Sequence, residues 1–105
     1  MEMDSLDQSL TRRLHDVLTG AAATEGELRA LKEQAEGLAR SLAAGIRSSE
    51  AQLTALAAAP DAAVAEMAAE LRRVERLRED LDDLRADLAA LASRARTLRG
   101  RWLRQ

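Results

Sequence analysis

The stretch Val74–Trp102, VERLREDLDDLRADLAALASRARTLRGRW, decides how this chain folds. Val74, Leu77, Leu81, Leu84, Leu88, Leu91, Ala95, Leu98 and Trp102 recur at alternating steps of three and four. That spacing is four unbroken heptads, with a at Val74, Leu81, Leu88, Ala95 and Trp102, and d at Leu77, Leu84, Leu91 and Leu98. A helix turns once in about 3.6 residues, so these positions form one apolar stripe that must be covered. Met67 and Leu71 extend the stripe less regularly toward Pro60.

Outward from this segment the same pattern recurs. Leu14, Val17, Ala21, Thr24, Leu28, Leu31, Ala35, Leu38 and Leu42 keep the three-four spacing. The phase slips by one between Leu42 and Ile46, then resumes through Ser49, Leu53 and Leu56, a local change in supercoiling that a packed bundle tolerates. Pro60, the only proline, follows three alanines and precedes Asp61, which suits the first turn of a new helix. Gly20 can end a first helix, and Thr24-Glu25-Gly26-Glu27 has the form of a capping box opening the next. Ser5-Leu6-Asp7-Gln8 is a similar start signal. The expected architecture is all-α, one unit over 1–105, with helices over about 5–19, 25–58 and 61–103. They form a coiled coil or an extended helical hairpin with a break near Pro60.

Composition agrees. The 105 residues include one Trp and no Phe, Tyr or Cys, so Leu and Ala supply most of the apolar content. Aromatic side chains bury roughly 150–250 Å² each, and a core without them leans on repeated Leu contacts along helices. No alternating Val, Ile or Thr run marks a strand. The lack of cysteine excludes disulfide and thiolate chemistry and fits a reducing, cytoplasmic setting. No apolar run is long enough to span a bilayer, and the acidic Met1-Glu2-Met3-Asp4 start is unlike a signal peptide.

The stripe needs cover, either from the chain's other helices or from another chain. In a parallel homodimer through Val74–Trp102, Asp80 would meet Arg85 favourably, but Arg73 would meet Arg78 and Arg94 would meet Arg99. The balance is repulsive and leans toward a hetero-partner or antiparallel packing. The expected partner interface is Val74, Leu77, Leu81, Leu84, Arg85, Asp87, Leu88, Leu91, Ala95, Leu98 and Trp102. Four glycines in the first half (Gly20, Gly26, Gly37, Gly45) weaken its helices, so the isolated chain is expected to be weakly helical or self-associated.

Chemistry-bearing constellations are missing. His15 has no second His or Cys to join it in a metal site and reads as a solvated flank residue. Glu79, Asp80, Asp82 and Asp83 form an acidic cluster with Arg76, Arg78 and Arg85 in helical reach, which predicts a salt-bridged outer face. No glycine-rich phosphate loop occurs. The expectation is a non-enzyme with no cofactor, no metal and no small-molecule substrate. The net charge of −2 is uneven: residues 94–104 carry five arginines and no acid. Arg94, Arg96, Arg99, Arg101 and Arg104 around Trp102 could contact nucleic acid or an anionic membrane surface. They also suit a helix C-terminus, where cations favour the macrodipole.

The same C-terminal segment resembles the KxDL family. Leu84-Arg85-Ala86-Asp87-Leu88, followed by Arg94-Ala95-Arg96-Thr97-Leu98-Arg99-Gly100-Arg101, is similar to that family's signature helix, a Lys-x-Asp-Leu stretch followed by a basic Arg-x-Arg-Thr-Leu-Lys-Gly-Lys run. Arg85 stands for the Lys, Asp87 and Leu88 match, and Ala92 and Ala95 replace bulkier residues. The similarity covers about 20 residues, and the first half of the chain does not share it. The resemblance implies a subunit of the BLOC-one-related complex (BORC), a coiled-coil assembly on the cytosolic face of lysosomes that governs their positioning. Arg85, Asp87 and Leu88 would then be interaction residues. A short coiled-coil subunit of a kinetochore or spindle assembly is the alternative of the same mechanical kind.

Overall fold

A computed structural model of the chain describes the backbone of residues 2–59, 61 and 64–104; the side chains of 2–6, 102 and 104 lie outside the described residues. Three helices follow in order: α1 (Glu2–Leu18), α2 (Glu25–Ala58) and α3 (Val64–Arg104). No strand occurs among the described residues. The all-α expectation is met, and α2 has the bounds its sequence signals gave. α1 begins one turn before the Ser5–Gln8 signal. The break between α2 and α3 falls where expected, although α3 begins at Val64 and Pro60 itself lies outside the described residues.

The turn between α1 and α2 shows how local sequence ends one helix and starts the next. Gly20 takes φ +116°, a conformation that side chains with a Cβ rarely adopt. The Ala21 amide donates to the Asp16 carbonyl at 2.9 Å and the Gly20 amide to the Val17 carbonyl at 3.3 Å, which is the Schellman pairing. Four residues later Thr24 caps α2: its Oγ1 accepts from the Glu27 amide at 3.1 Å, and its carbonyl accepts from Leu28 at 3.0 Å. The carboxylate of Glu27 turns to Arg13 of α1, with Nη2 and Oε2 2.6 Å apart.

The chain divides into two compact units, one of residues 1–38 and 84–105, the other of residues 39–83. In the first, α1 and the first part of α2 meet the last part of α3. Its buried apolar residues are Leu14 and Val17 from α1, Leu28, Leu31 and Ala35 from α2, and Leu84 and Leu91 from α3. Leu14 and Val17 are wholly enclosed, so α1 is an integral wall of this core.

The second unit is an α2–α3 hairpin. Ile46, Val74 and Leu81 form its centre, with Ala39, Leu42, Ala43, Leu53 and Leu77 packed around them. Gly45 faces Leu77 so closely that a Cβ there would lie 3.4 Å from Leu77 Cδ1. Arg78 reaches across to Glu50 at 3.4 Å. The slip in the apolar pattern between Leu42 and Ile46 falls shortly after α2 leaves the first unit at Leu38. α2 lines a three-helix core before that point and a two-helix core after it.

Candidate functional site

Nine of the expected interface residues lie on the inner face of α3. Val74, Leu81, Leu84 and Leu91 are buried, and Leu77, Asp87, Leu88, Ala95 and Leu98 are half-buried. Arg85 is exposed, and the Trp102 side chain lies outside the described residues. Within each unit these side chains are covered by the chain's own helices. Beyond the regular stripe, large apolar side chains stand in solvent: Val64 and Leu71 near the start of α3 and Leu103 near its end, at 79, 51 and 87 % exposure.

The Arg-rich segment is partly engaged inside the first unit. Arg94 donates from Nη2 to the Ala21 carbonyl at 3.1 Å, while its Nε–H is buried with no acceptor. Arg99 approaches Glu25 at 3.5 Å. Arg13, Arg94 and Arg99 therefore converge from α1 and α3 on the Ala21–Glu27 corner. This gives the loop and the first turn of α2 their cations. Arg96 and Arg101 remain exposed, and the Arg104 side chain is outside the described residues. His15 is exposed, as its flank position implied.

The acidic cluster departs from expectation. Glu79, Asp80, Asp82 and Asp83 are all exposed, yet among the described residues none is within 4.0 Å of an arginine or lysine nitrogen. Arg78, within helical reach of the cluster, is drawn to Glu50 on α2 instead. Exposed pairs on one helix gain only about 0.2–0.5 kcal/mol, so a partner from another element easily takes the arginine. Among the described residues the expected salt-bridged ladder is absent, and the acidic run faces solvent.

A second face of α3 went unread in the sequence. Ala86, Ala89, Ala90 and Ser93 are exposed on the side away from the core, between the acidic run and the exposed Arg96 and Arg101. Small residues give no hydrophobic signal, and the stronger Leu stripe on the opposite side conceals their regular spacing.

Among the described residues two clefts open on the surface. A cleft of about 120 Å³ in the first unit is lined by Glu25, Leu28, Arg29, Lys32, Ala95 and Arg99. It is below the roughly 300–1,000 Å³ typical of small-molecule sites. In the second unit, Arg72, Glu75, Arg76 and Glu79 line a larger furrow of about 370 Å³, open to solvent along one side of α3. Among the described residues no three His, Cys, Asp or Glu side chains are grouped to hold a metal ion, and no helix is long and apolar enough to cross a membrane.

No family model matches the sequence, and the comparisons with curated proteins and with solved structures return no match.

Proposed function

We propose that this chain is a non-catalytic helical subunit of a hetero-oligomeric coiled-coil assembly, working by presenting helix faces to other helices. The observation that carries the reading is the exposure of Val64, Leu71 and Leu103 at the two ends of α3. Large apolar side chains left in water are stabilised by an apolar neighbour at roughly 25 cal/mol per Å² covered. A partner helix along either end of α3 supplies such a neighbour. The open furrow at Arg72, Glu75, Arg76 and Glu79, which encloses little, and the solvated His15 favour binding over chemistry.

The finer assignment is an assembly of the BORC type that positions lysosomes, with the chain in the cytoplasm at the cytosolic face of that organelle. Its support is the resemblance of Leu84–Leu88 and Arg94–Arg101 to the KxDL signature. In that reading the exposed Arg85 is free to meet a partner, while Leu88 belongs to the packed face. A nucleic-acid or membrane role for the Arg-rich end is less favoured, because Arg94 and Arg99 are engaged by Ala21 and Glu25.

Affinity capture of the tagged full chain from its native cell tests the proposal. Recovery of a stoichiometric set of other coiled-coil chains with lysosomal distribution is the expected result. A kinetochore or spindle set would overturn the address, and recovery of the chain without partner proteins would overturn the subunit reading.

A further inference from the structure

We propose that Thr24, the residue that caps α2, is a phosphate-acceptor site for a protein kinase directed by acidic side chains. The proposal goes beyond the subunit reading and stands without it. Thr24 is exposed, and residues 21–24 carry no regular secondary structure, so its hydroxyl stands on a stretch that can enter an enzyme's groove. Glu25 and Glu27 follow it at the next position and at the third, both exposed. They supply the carboxylates that a basic substrate groove recognises.

Hydrogen bonding sets Thr24 apart from the helical threonines. Its Oγ1 accepts from the Glu27 amide at 3.1 Å, an interaction that does not use the hydroxyl proton. Thr11, Thr19, Thr54 and Thr97 instead donate to carbonyls of the preceding turn, bonds that esterification breaks. In the transfer, Thr24 Oγ1 attacks the γ-phosphorus of ATP and forms the new P–O bond. The bond from that phosphorus to the β-phosphate oxygen breaks, ADP leaves, and the hydroxyl proton passes to the kinase's base.

The corner around Thr24 carries an excess of cations that a phosphate would meet. Arg13 lies 2.6 Å from Glu27, and Arg99 and Arg29 lie 3.5 and 4.0 Å from Glu25. Arg94 reaches the Ala21 carbonyl through Nη2, and its Nε–H is buried without an acceptor. Four guanidinium groups thus stand against two carboxylates, an excess of two positive charges. A phosphothreonine brings about −1.5 to −2 at neutral pH, which matches that excess. It brings the charge to the start of a helix, where the dipole favours an anion. Modification should therefore fasten α1 and the last part of α3 more firmly to the start of α2.

Two experiments on the full-length chain test the proposal. Incubated with ATP, Mg²⁺ and an acidic-directed protein kinase, the chain should take up one phosphate, placed at Thr24 by peptide mapping. Thr24→Ser should remain a substrate, and Thr24→Asn, which keeps a cap but has no hydroxyl, should take up none. Glu27→Gln should lose most of the incorporation, with circular dichroism checking that its helices persist. No incorporation, or a phosphate on another residue, would overturn the proposal.

The second experiment compares urea unfolding of the chain carrying phosphothreonine at position 24 with that of the unmodified chain. The midpoint should rise, and the rise should be lost in Arg94→Gln/Arg99→Gln. It should also shrink as pH falls through the second phosphate pKa of about 6, where the dianion becomes a monoanion. A midpoint that falls or stays unchanged on modification, or a rise that survives loss of both arginines, would overturn the role of the corner as the phosphate's seat.

Discussion

Arg13 of α1 and Glu27 of α2 form a tight ion pair in the first unit, with Nη2 and Oε2 2.6 Å apart across the Gly20–Thr24 corner. The pair closes a short αα-corner that Gly20 and Thr24 have already shaped. Its direction also matters, because Glu27 sits in the first turn of α2, where a carboxylate favours the helix dipole.

Both side chains are 40–49 % exposed, so water and salt screen the pair. A double-mutant cycle of Arg13→Ala and Glu27→Ala, read by urea denaturation, should give a coupling of about 0.2–1 kcal/mol that shrinks in high salt. A coupling above about 2 kcal/mol would mean that the corner is far better shielded than this geometry allows.

Gly20 is the position where the backbone itself demands glycine. At φ +116° an added Cβ meets no atom within 4 Å, so the cost of substitution is backbone strain and not collision. Gly20→Ala should therefore lose at least about 1–2 kcal/mol of stability, while loosening the α1–α2 corner more than the α2–α3 hairpin. Hydrogen exchange resolves the two, with protection expected to fall first at the amides of α1.

Gly45 behaves in the opposite way. It lies inside α2 against Leu77, and an alanine there would sit at ordinary van der Waals distance, 3.4 Å from Leu77 Cδ1. Gly45→Ala should gain about 0.5–1 kcal/mol from helix propensity, raising the urea midpoint without changing the slope. A loss of stability would show that the two helices cannot yield the last few tenths of an ångström.

What was legible in the sequence was what periodicity writes along one helix. Val74 to Leu98 announced its buried face because leucines at steps of three and four leave no other choice. Gly20 and Thr24 announced a corner because both act within a few residues. The partners of the charged groups were not legible. Glu27 is joined to Arg13, fourteen positions away, and Arg94 to the Ala21 carbonyl, seventy-three away. Such pairings exist only once the helices are placed. The acidic run at Glu79–Asp83 misled for the same reason, since Arg78 is within reach of it along α3 but closer to Glu50 across the hairpin. The outer face around Ala90 was silent because alanine carries neither charge nor a strong apolar signal.

The inner and outer faces of α3 should separate cleanly under mutation. Leu91 is 2 % exposed within the core of the first unit, whereas Leu103 is 87 % exposed. Truncating Leu91 to Ala removes buried methyl groups and leaves a void that the three surrounding helices can only partly close, which costs about 2–5 kcal/mol. Leu103→Ala removes nothing that the isolated chain buries, so its stability should stay within about 0.5 kcal/mol of the parent. If Leu103 meets a partner helix, as proposed, the same substitution should weaken capture of that partner while thermal unfolding of the isolated chain is unchanged. Leu91→Ala should reduce both, because the faces presented to partners depend on the core behind them. A Leu103→Ala chain that unfolds as readily as Leu91→Ala would mean that this end of α3 is covered by the chain itself, and the exposed terminus would lose its claim as a docking end.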